Sequence, residues 1–160
     1  MNFSMNPSIQ DFLDVAYNMR EDEVEQYLSI VGKDKYVPEE FVKTMLQYMS
    51  EITFVLYDND GVACCIGGLV ETRQKVWQTW MMGTQEGWDN HWRSITKLSR
   101  RVIDDLLNSN MGHRVHCYSL HSRHKTHEWY RRGLGMDFES INHKFFADGQ
   151  NAACHVKIKE

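Results

Sequence analysis

The sequence predicts a mixed α/β (α+β) domain, in which one mixed sheet of about six to seven strands carries helices on both faces. Two observations support this fold class. Apolar residues recur at helical spacing in residues 8–32, 38–50 and 93–110, whereas residues 52–82 hold short runs rich in β-branched and aromatic residues. Elements in this order pack best as layers on one sheet. With 160 residues, 42% of them hydrophobic, the chain suits a single domain over residues 1–160.

Three helices are predicted before the first strand. Ser8 suits a helix cap, and a second set of helical positions ends at Gly32. Pro38 begins the third helix, because proline is tolerated in the first turn and the acidic residues after it favour the positive end of the helix dipole. This helix should stop near Ser50. The apolar positions are Ile9, Phe12, Leu13, Ala16, Val24, Tyr27, Leu28, Val31, Phe41, Met45, Leu46 and Met49.

An antiparallel meander of three strands follows these helices. Residues 52–57 and 62–70 are apolar runs that a hairpin sequence at 58–61 separates. A further turn at 73–75 precedes the third run, at 76–82. The pattern therefore predicts three consecutive strands joined by short turns.

The second half of the chain returns to alternating elements. Residues 83–93 are predicted to form a polar loop before a long helix that ends near Asn110. A strand over 114–120, a shorter helix over 123–132 and a hairpin that turns at 148–150 complete the prediction.

Charge and cysteine usage limit the classes of function. The net charge of −4 gives no general attraction to nucleic acid, although nine basic residues lie between residues 93 and 132. With no long apolar run and no signal-like start, we expect a soluble cytoplasmic protein without a membrane segment. The cysteines have no CxxC spacing and lie in apolar runs, so we expect reduced, buried thiols at Cys64, Cys65, Cys117 and Cys154.

Residues 127–136 resemble the second signature of the GNAT acetyltransferase superfamily. In that signature an aromatic residue, a tyrosine and two basic residues precede a glycine, as Trp129, Tyr130 and Gly135 do here, with Gly133 as one extra residue. The resemblance implies the GNAT fold and acetyl-coenzyme A as the cofactor. It places Tyr130 beside the sulfur of the coenzyme, where a phenol can act as a general acid for the departing thiolate.

The first signature of that superfamily is altered. Its members place two small residues at the start of the long helix, so that backbone amides and the helix dipole hold the pyrophosphate. Side chains occupy both small positions here, which predicts a weakened or lost site partly filled by Trp88 or Trp92. The resemblance assigns contacts with acetyl-coenzyme A to Met82, Arg93, Ser94, Ile95, Thr96 and Arg123.

The general base and a metal site are less defined. Glu71, or a water held by Thr79, is the candidate base near an attacking amine, and a strand-end carboxylate without a catalytic role is the alternative for Glu71. A cluster of histidines raises the question of metal binding. No cysteine or acid completes a zinc pattern there, so we predict no metal and expect surface or loop histidines at His116, His121, His124 and His127.

A narrower resemblance covers most of the chain. The meander with Gly67 and Gly68, the Trp-Arg-Ser run at 92–94 and the hairpin at 148–150 are similar to the GNAT-related internal virion proteins of short-tailed phages. This implies protein contacts in assembly of a virion core, in the host cytoplasm or the virion. The alternative is an active acetyl-coenzyme A-dependent N-acetyltransferase on a protein or small amine, whereas nucleic-acid binding is disfavoured by the charge.

The GNAT resemblance also predicts the geometry of the central strands. The strands that begin at Val76 and Arg114 should be parallel, because the long helix between them makes a right-handed crossover. They should separate near Met82 and Gly83. In this superfamily that separation forms the cleft for the pantetheine arm of the coenzyme.

Overall fold

The computed structural model describes residues 1–160 and contains seven strands and six helices. The strands are β1 (Asn2–Ser4), β2 (Ile52–Tyr57), β3 (Ala63–Arg73), β4 (Val76–Gly83), β5 (Arg114–Leu120), β6 (Asp137–Asn142) and β7 (Ala152–Ile158). The helices are α1 (Ile9–Tyr17), α2 (Glu21–Val31), α3 (Pro38–Leu46), α4 (Gln85–Asn90), α5 (Trp92–Asn108) and α6 (His124–Arg132).

All seven strands belong to one mixed sheet, with the order β1-β2-β3-β4-β5-β7-β6. Every neighbouring pair is antiparallel except β4 and β5, which are parallel. The single mixed sheet confirms the predicted fold class, and the parallel pair confirms the crossover expected through α5.

The core is divided between the two faces of the sheet. Successive side chains of a strand point to opposite faces, and those of β2 separate in this way. Val55 packs with residues of α1, α2 and α3, whereas Phe54 and Leu56 pack with Ile95 and Leu98 of α5. Helices therefore cover both faces, as the sequence predicted.

Local signals account for most of the helix ends. Ser8 caps α1 in a capping box with Asp11, whose amide donates to the Ser8 hydroxyl at 3.2 Å. Gly32 ends α2 in the left-handed conformation, with φ of 69°. The predicted end of α3 near Ser50 is wrong, because the chain tightens after Leu46 and the Gln47 amide donates to the Thr44 carbonyl at 3.2 Å.

Two elements were not predicted. The three-residue β1 pairs with β2 at the edge of the sheet. The segment expected as a polar loop contains α4, whose first turn is capped by the Thr84 hydroxyl as it accepts the Gly87 amide at 3.0 Å. A Cβ atom on Gly87 would lie 2.5 Å from the Cys64 carbonyl oxygen, so α4 contacts β3 too closely for a larger residue there.

The pairing of β4 with β5 is short. Only three residue pairs form, from Val76 opposite Arg114 to Gln78 opposite His116. The two strands therefore separate after Gln78, earlier along β4 than the predicted point near Met82. All four cysteines are free and buried, which confirms the expected thiols. None of the six helices combines the length and the apolar character that a membrane span requires.

Candidate functional site

The cleft between β4 and β5 exposes one backbone edge of β4. The Thr84 amide donates to the Cys64 carbonyl of β3 at 2.9 Å, so the backbone of the preceding residue, Gly83, faces the other way. Its amide donates to the Glu23 carboxylate and its carbonyl accepts the Arg20 amide at 3.1 Å. Because backbone groups alternate along a strand, the N–H and C=O groups of Met81 share this edge, where β5 has diverged.

A buried carboxylate connects α2 to the end of β4. Glu23 is 3% exposed and accepts hydrogen bonds from the Gly83 amide and, at 2.8 Å, from the Trp88 indole. The Arg20 guanidinium lies 3.5 Å from the same carboxylate and stacks over the Trp88 ring at 4.8 Å. Burial raises the pKa of Glu23, and the Gly83 amide and the arginines oppose that shift. This network fixes the end of β4 and the position of Trp88.

The first cavity, of about 330 Å³, opens beside this network. Helices α2, α4, α5 and α6 and strand β4 contribute its walls. Three basic and three acidic side chains lie among them, so the wall is charged yet balanced in sign. The lining residues are Arg20, Asp22, Glu23, Gln26, Met81, Trp88, Asp89, Trp92, Arg123, Lys125, Thr126, Trp129 and Tyr130.

Tryptophans occupy the side of the first cavity next to α5. The rings of Trp88 and Trp129 meet edge to face, with centroids 5.2 Å apart. The Trp129 indole donates to the Thr96 hydroxyl at 2.8 Å, and this hydroxyl donates to the Trp92 carbonyl at 2.7 Å. The structure places both Trp88 and Trp92 in the cavity wall, where the sequence had suggested that an indole would partly fill the pyrophosphate end.

The start of α5 offers backbone donors rather than side chains. Its first intrahelical bond runs from the Ile95 amide to the His91 carbonyl at 3.0 Å, so the amides of Trp92, Arg93 and Ser94 precede it. No side chain caps this end. Of the residues predicted there, Ile95 is fully buried in the core, and the Thr96 hydroxyl is already bonded. The exposed Arg93 stacks on the Trp92 ring at 4.7 Å.

Tyr130, the predicted general acid, lies in the wall of the first cavity. Its ring lies between those of Trp129 and His155, with centroids 5.5 and 5.2 Å away. Burial raises the pKa of Tyr130 well above its usual value, and the neighbouring Cys117 thiol adds to the shift. The phenol is therefore protonated at neutral pH, as a proton donor must be.

A second cavity, of about 300 Å³, lies on the other side of Tyr130. The two cavities share Gln26, Met81 and Tyr130, and we call these three residues the junction. The second cavity is mainly apolar and has no charged side chain in its lining. Its other residues are Tyr27, Ile30, Val31, Thr44, Met45, Tyr48, Val70, Thr72, Gln78, Thr79, Trp80, Met82 and Tyr118.

Three further predicted residues have different positions relative to the cavities. Arg123 lines the first cavity and donates to the Gln26 side-chain oxygen at 2.7 Å, while its Nε atom is buried without a partner. Met82 lines the second cavity instead of the first. Glu71 lines neither cavity, and its carboxylate accepts the Lys75 amide at 2.8 Å in the β3–β4 turn. That turn explains Glu71 without a role as a base.

Glu23 and Gln26 were not singled out from the sequence. Glu23 reaches Gly83 across 60 residues of sequence, and the Gln26 oxygen accepts the Leu120 amide across 94 residues, at 3.2 Å. The sequence of α2 alone does not indicate hydrogen-bond partners so far along the chain. The available signal was the presence of two polar residues beside the apolar positions of a core helix.

Four histidines lie near one another, in the turn before α6, in α6 and on β7. The ring centroids of His121, His124 and His127 are 5.8 to 6.3 Å apart, and that of His155 is 5.2 Å from His127. His127 is within 3.0 Å of the Leu120 carbonyl, and burial lowers its pKa. No group of three or more His, Cys, Asp or Glu residues is arranged to hold a metal ion. His116 is separate from them and buried on β5, so the expectation of a surface or loop histidine is wrong at that position.

Solved structures similar to this chain include several acetyltransferases. An acetyltransferase of the GNAT family from Bacillus anthracis has a TM-score of 0.72 and 8% identity, over 95% of this chain and 91% of the other. Spermidine N-acetyltransferase from Vibrio cholerae, in complex with CoA and spermine, has a TM-score of 0.70 and 12% identity, over 99% and 95%. Ribosomal-protein-S5-alanine acetyltransferase from Vibrio fischeri has a TM-score of 0.68 and 14% identity, over 96% and 91%.

These likenesses extend over nearly the whole chain at low sequence identity. No family model matches the sequence. No curated protein sequence matches it either. The structural likenesses show that the chain has the GNAT acetyltransferase fold. A fold alone does not determine the reaction, which depends on the residues of the site.

Proposed function

We propose that this protein is an N-acetyltransferase that transfers the acetyl group of acetyl-coenzyme A to an amine. The observation that carries the proposal is the junction, where two cavities meet at Gln26, Met81 and Tyr130. Two substrates that enter from opposite sides would meet there beside a protonated phenol. A pseudo-enzyme acting only through its surface has no need of such a meeting point.

The polar groups around the first cavity fit the parts of acetyl-coenzyme A. The Met81 carbonyl, on the open edge of β4, suits an amide N–H of the pantetheine arm. The free amides at the start of α5, with Arg93 nearby, suit the pyrophosphate. The side chains of Ser94 and Thr96 restrict close approach of the backbone, so we expect moderate affinity. When bound, the coenzyme supplies an activated thioester carbonyl.

The chain's own residues then have separate roles. Tyr130 donates a proton to the departing thiolate, and its raised pKa keeps that proton available at neutral pH. The Met81 amide, on the free edge of β4, can donate to the carbonyl oxygen as negative charge develops on it. Gln26, held by Arg123 and the Leu120 amide, fixes α2 against the cleft. None of the junction residues is a strong base.

Titration calorimetry with acetyl-coenzyme A tests this proposal directly. We expect binding on the order of micromolar Kd. We expect Arg93→Ala to weaken it and Tyr130→Phe to leave it unchanged. The absence of any heat of binding at millimolar acetyl-coenzyme A would refute the proposal, because the first cavity would then not be a coenzyme site.

A second candidate is a role through protein contacts, as in the assembly of a virion core. One observation favours it: the edge strand β6 carries Phe138 and Ile141, which are 52% and 40% exposed. Pull-down against the structural proteins encoded by the source genome tests this role. If the protein acts through contacts, a partner should be captured, and Phe138→Glu should abolish that capture without changing the binding of acetyl-coenzyme A. The absence of any partner would contradict it.

A further inference from the structure

The second cavity differs from most sites for biological amines in having no charge. Its polar side chains are the neutral ones of Gln26, Thr44, Thr72, Gln78 and Thr79, besides the phenols and one indole. An ammonium or carboxylate group placed there would lose its hydration and find no ion-pair partner. The cavity therefore selects against polyamines and amino acids.

The size and walls of the second cavity fit an aromatic body. Its volume of about 300 Å³ is twice the ~150 Å³ of an engineered apolar cavity that holds benzene. One or two fused rings with small substituents would fill it. Tyr27, Trp80 and Tyr118 offer aromatic walls for ring packing.

The absence of a base limits the amine further. No carboxylate or imidazole lines the second cavity, and Tyr130 keeps its proton at neutral pH. An alkyl ammonium with a pKa near that of lysine, about 10.4, leaves only about one molecule in 2,500 unprotonated at pH 7. An amine attached directly to an aromatic ring is unprotonated at that pH, because its lone pair is delocalised into the ring. Such an amine can attack without prior removal of a proton.

We propose that the acceptor in the second cavity is a neutral arylamine with one or two rings. This inference rests on the proposed N-acetyltransferase function and names its substrate class. The amine nitrogen forms a bond to the thioester carbonyl carbon, and the carbon–sulfur bond breaks. The thiolate takes the Tyr130 proton, and the proton lost from nitrogen restores the phenol. The products are an N-aryl acetamide and coenzyme A, and no other reactant is needed.

The test uses the purified full chain and a matched set of amines. 2-Naphthylamine is compared with 2-(aminomethyl)naphthalene, which has the same rings but a basic alkyl amine, and with spermine. Thiol release from acetyl-coenzyme A measures turnover, and the fluorescence of 2-naphthylamine measures its binding without the coenzyme. We expect kcat/KM for 2-naphthylamine to exceed that for either alkyl amine by at least about tenfold at pH 7.

Two isoleucine substitutions provide a matched pair. Ile30 lines the second cavity at its exposed side, whereas Ile9 is exposed on α1 away from both cavities. Ile30→Glu adds a charge to the cavity and should weaken binding of 2-naphthylamine by about tenfold or more. Ile9→Glu makes the same chemical change elsewhere and should leave binding unchanged.

The possible outcomes distinguish failure of the arylamine inference from failure of the proposed N-acetyltransferase function. Preference for spermine or the alkyl amine would overturn the arylamine assignment while acetyl transfer stands. The protein could instead bind 2-naphthylamine in a way that Ile30→Glu abolishes, yet fail to bind acetyl-coenzyme A. That result would support an arylamine site in the second cavity and overturn the proposed N-acetyltransferase function. Equal binding by the Ile30→Glu and Ile9→Glu variants would place the ring outside the second cavity and overturn the inference.

Discussion

The two cavities beside β4 share three side chains but differ in charge. The first has six charged residues in its wall, and the second has none. Helix α2 accounts for part of this difference because it borders both. Asp22 and Glu23 face the first cavity, whereas Tyr27 and Ile30 face the second. Because Glu23, Tyr27 and Ile30 are spaced i, i+4 and i+7, they lie on one face of α2, and that face changes from charged to apolar along the helix axis.

Removal of the Glu23 carboxylate should have the largest effect on this arrangement. Glu23→Ala leaves the Gly83 amide and the Trp88 indole without an acceptor and the nearby arginines without a counter-charge. We expect a loss of about 3 kcal/mol in the free energy of unfolding, measured by chemical denaturation. Glu23→Gln keeps an acceptor oxygen and should cost less. Equal losses in both variants would show that the charge, rather than the hydrogen bonds, holds the first cavity together.

Removal of the Tyr130 hydroxyl tests the junction itself. Tyr130→Phe should lower kcat by about a hundredfold, because no other phenol lines both cavities to protonate the thiolate. Affinity for acetyl-coenzyme A should stay within about twofold of the original. Tyr118→Phe is the control, since Tyr118 lines the second cavity alone. An unchanged kcat in Tyr130→Phe would show that the phenol does not act as the general acid.

The dependence of stability on pH tests groups behind the junction. Burial lowers the pKa of His155 to about 4, so between pH 6.5 and 4 the unfolded chain binds a proton that the folded chain does not. Stability should fall as the pH drops through this window. His155→Phe should remove about 1–2 kcal/mol of the loss between pH 6.5 and 5, measured by urea unfolding at each pH.

A smaller slope should remain in the His155→Phe variant. Burial also lowers the pKa of His116 and His127, whose contributions have the same sign. Glu23 has the opposite sign, because its raised pKa makes the folded chain bind a proton more tightly and stabilises it as the pH falls. Glu23→Gln should therefore steepen the loss in acid. An identical pH profile for His155→Phe and the original protein would contradict the assignment.

The smallest effect is expected at the entrance to the first cavity. Arg93 is exposed, so its attraction to a pyrophosphate is screened by salt. Arg93→Ala should weaken binding of acetyl-coenzyme A by about threefold to fivefold at low salt and less at high salt, measured by calorimetry. Arg101→Ala, farther along α5, should change nothing. Equal weakening by both substitutions would indicate general charge attraction in place of a defined contact.

The elements that were predicted well carry their own local signals. The Ser8 capping box, the run of β5 from Arg114 to Leu120 and the glycine at the end of α2 depend on neighbouring residues alone. Tyr130 was found from its signature, and the structure places it at the junction. Short elements without periodicity were missed: β1 has only three residues, and α4 has one tryptophan among polar residues.

The rest of the site depends on contacts that sequence spacing does not encode. Glu23 and Gln26 meet the cleft only after α2 packs against strands far along the chain. Glu71 had the right chemistry for a base, but a backbone amide in its own turn binds it. The neutrality of the second cavity combines side chains of α2, α3, α6, β3, β4 and β5, so no single segment could have predicted it.

The short contact between β4 and β5 also bears on how the molecule folds and moves. It joins two groups of strands, β1 to β4 within residues 2–83 and β5 to β7 within residues 114–158. Within each group every pairing is antiparallel, and the two groups pair with each other only at this contact, so we expect each group to open and close as a separate cooperative unit. Amide hydrogen exchange should then be faster at this three-pair seam than in the longer β3–β4 and β5–β7 pairings on either side of it. Because the seam borders the cleft, its opening would widen the path by which ligands enter and products leave.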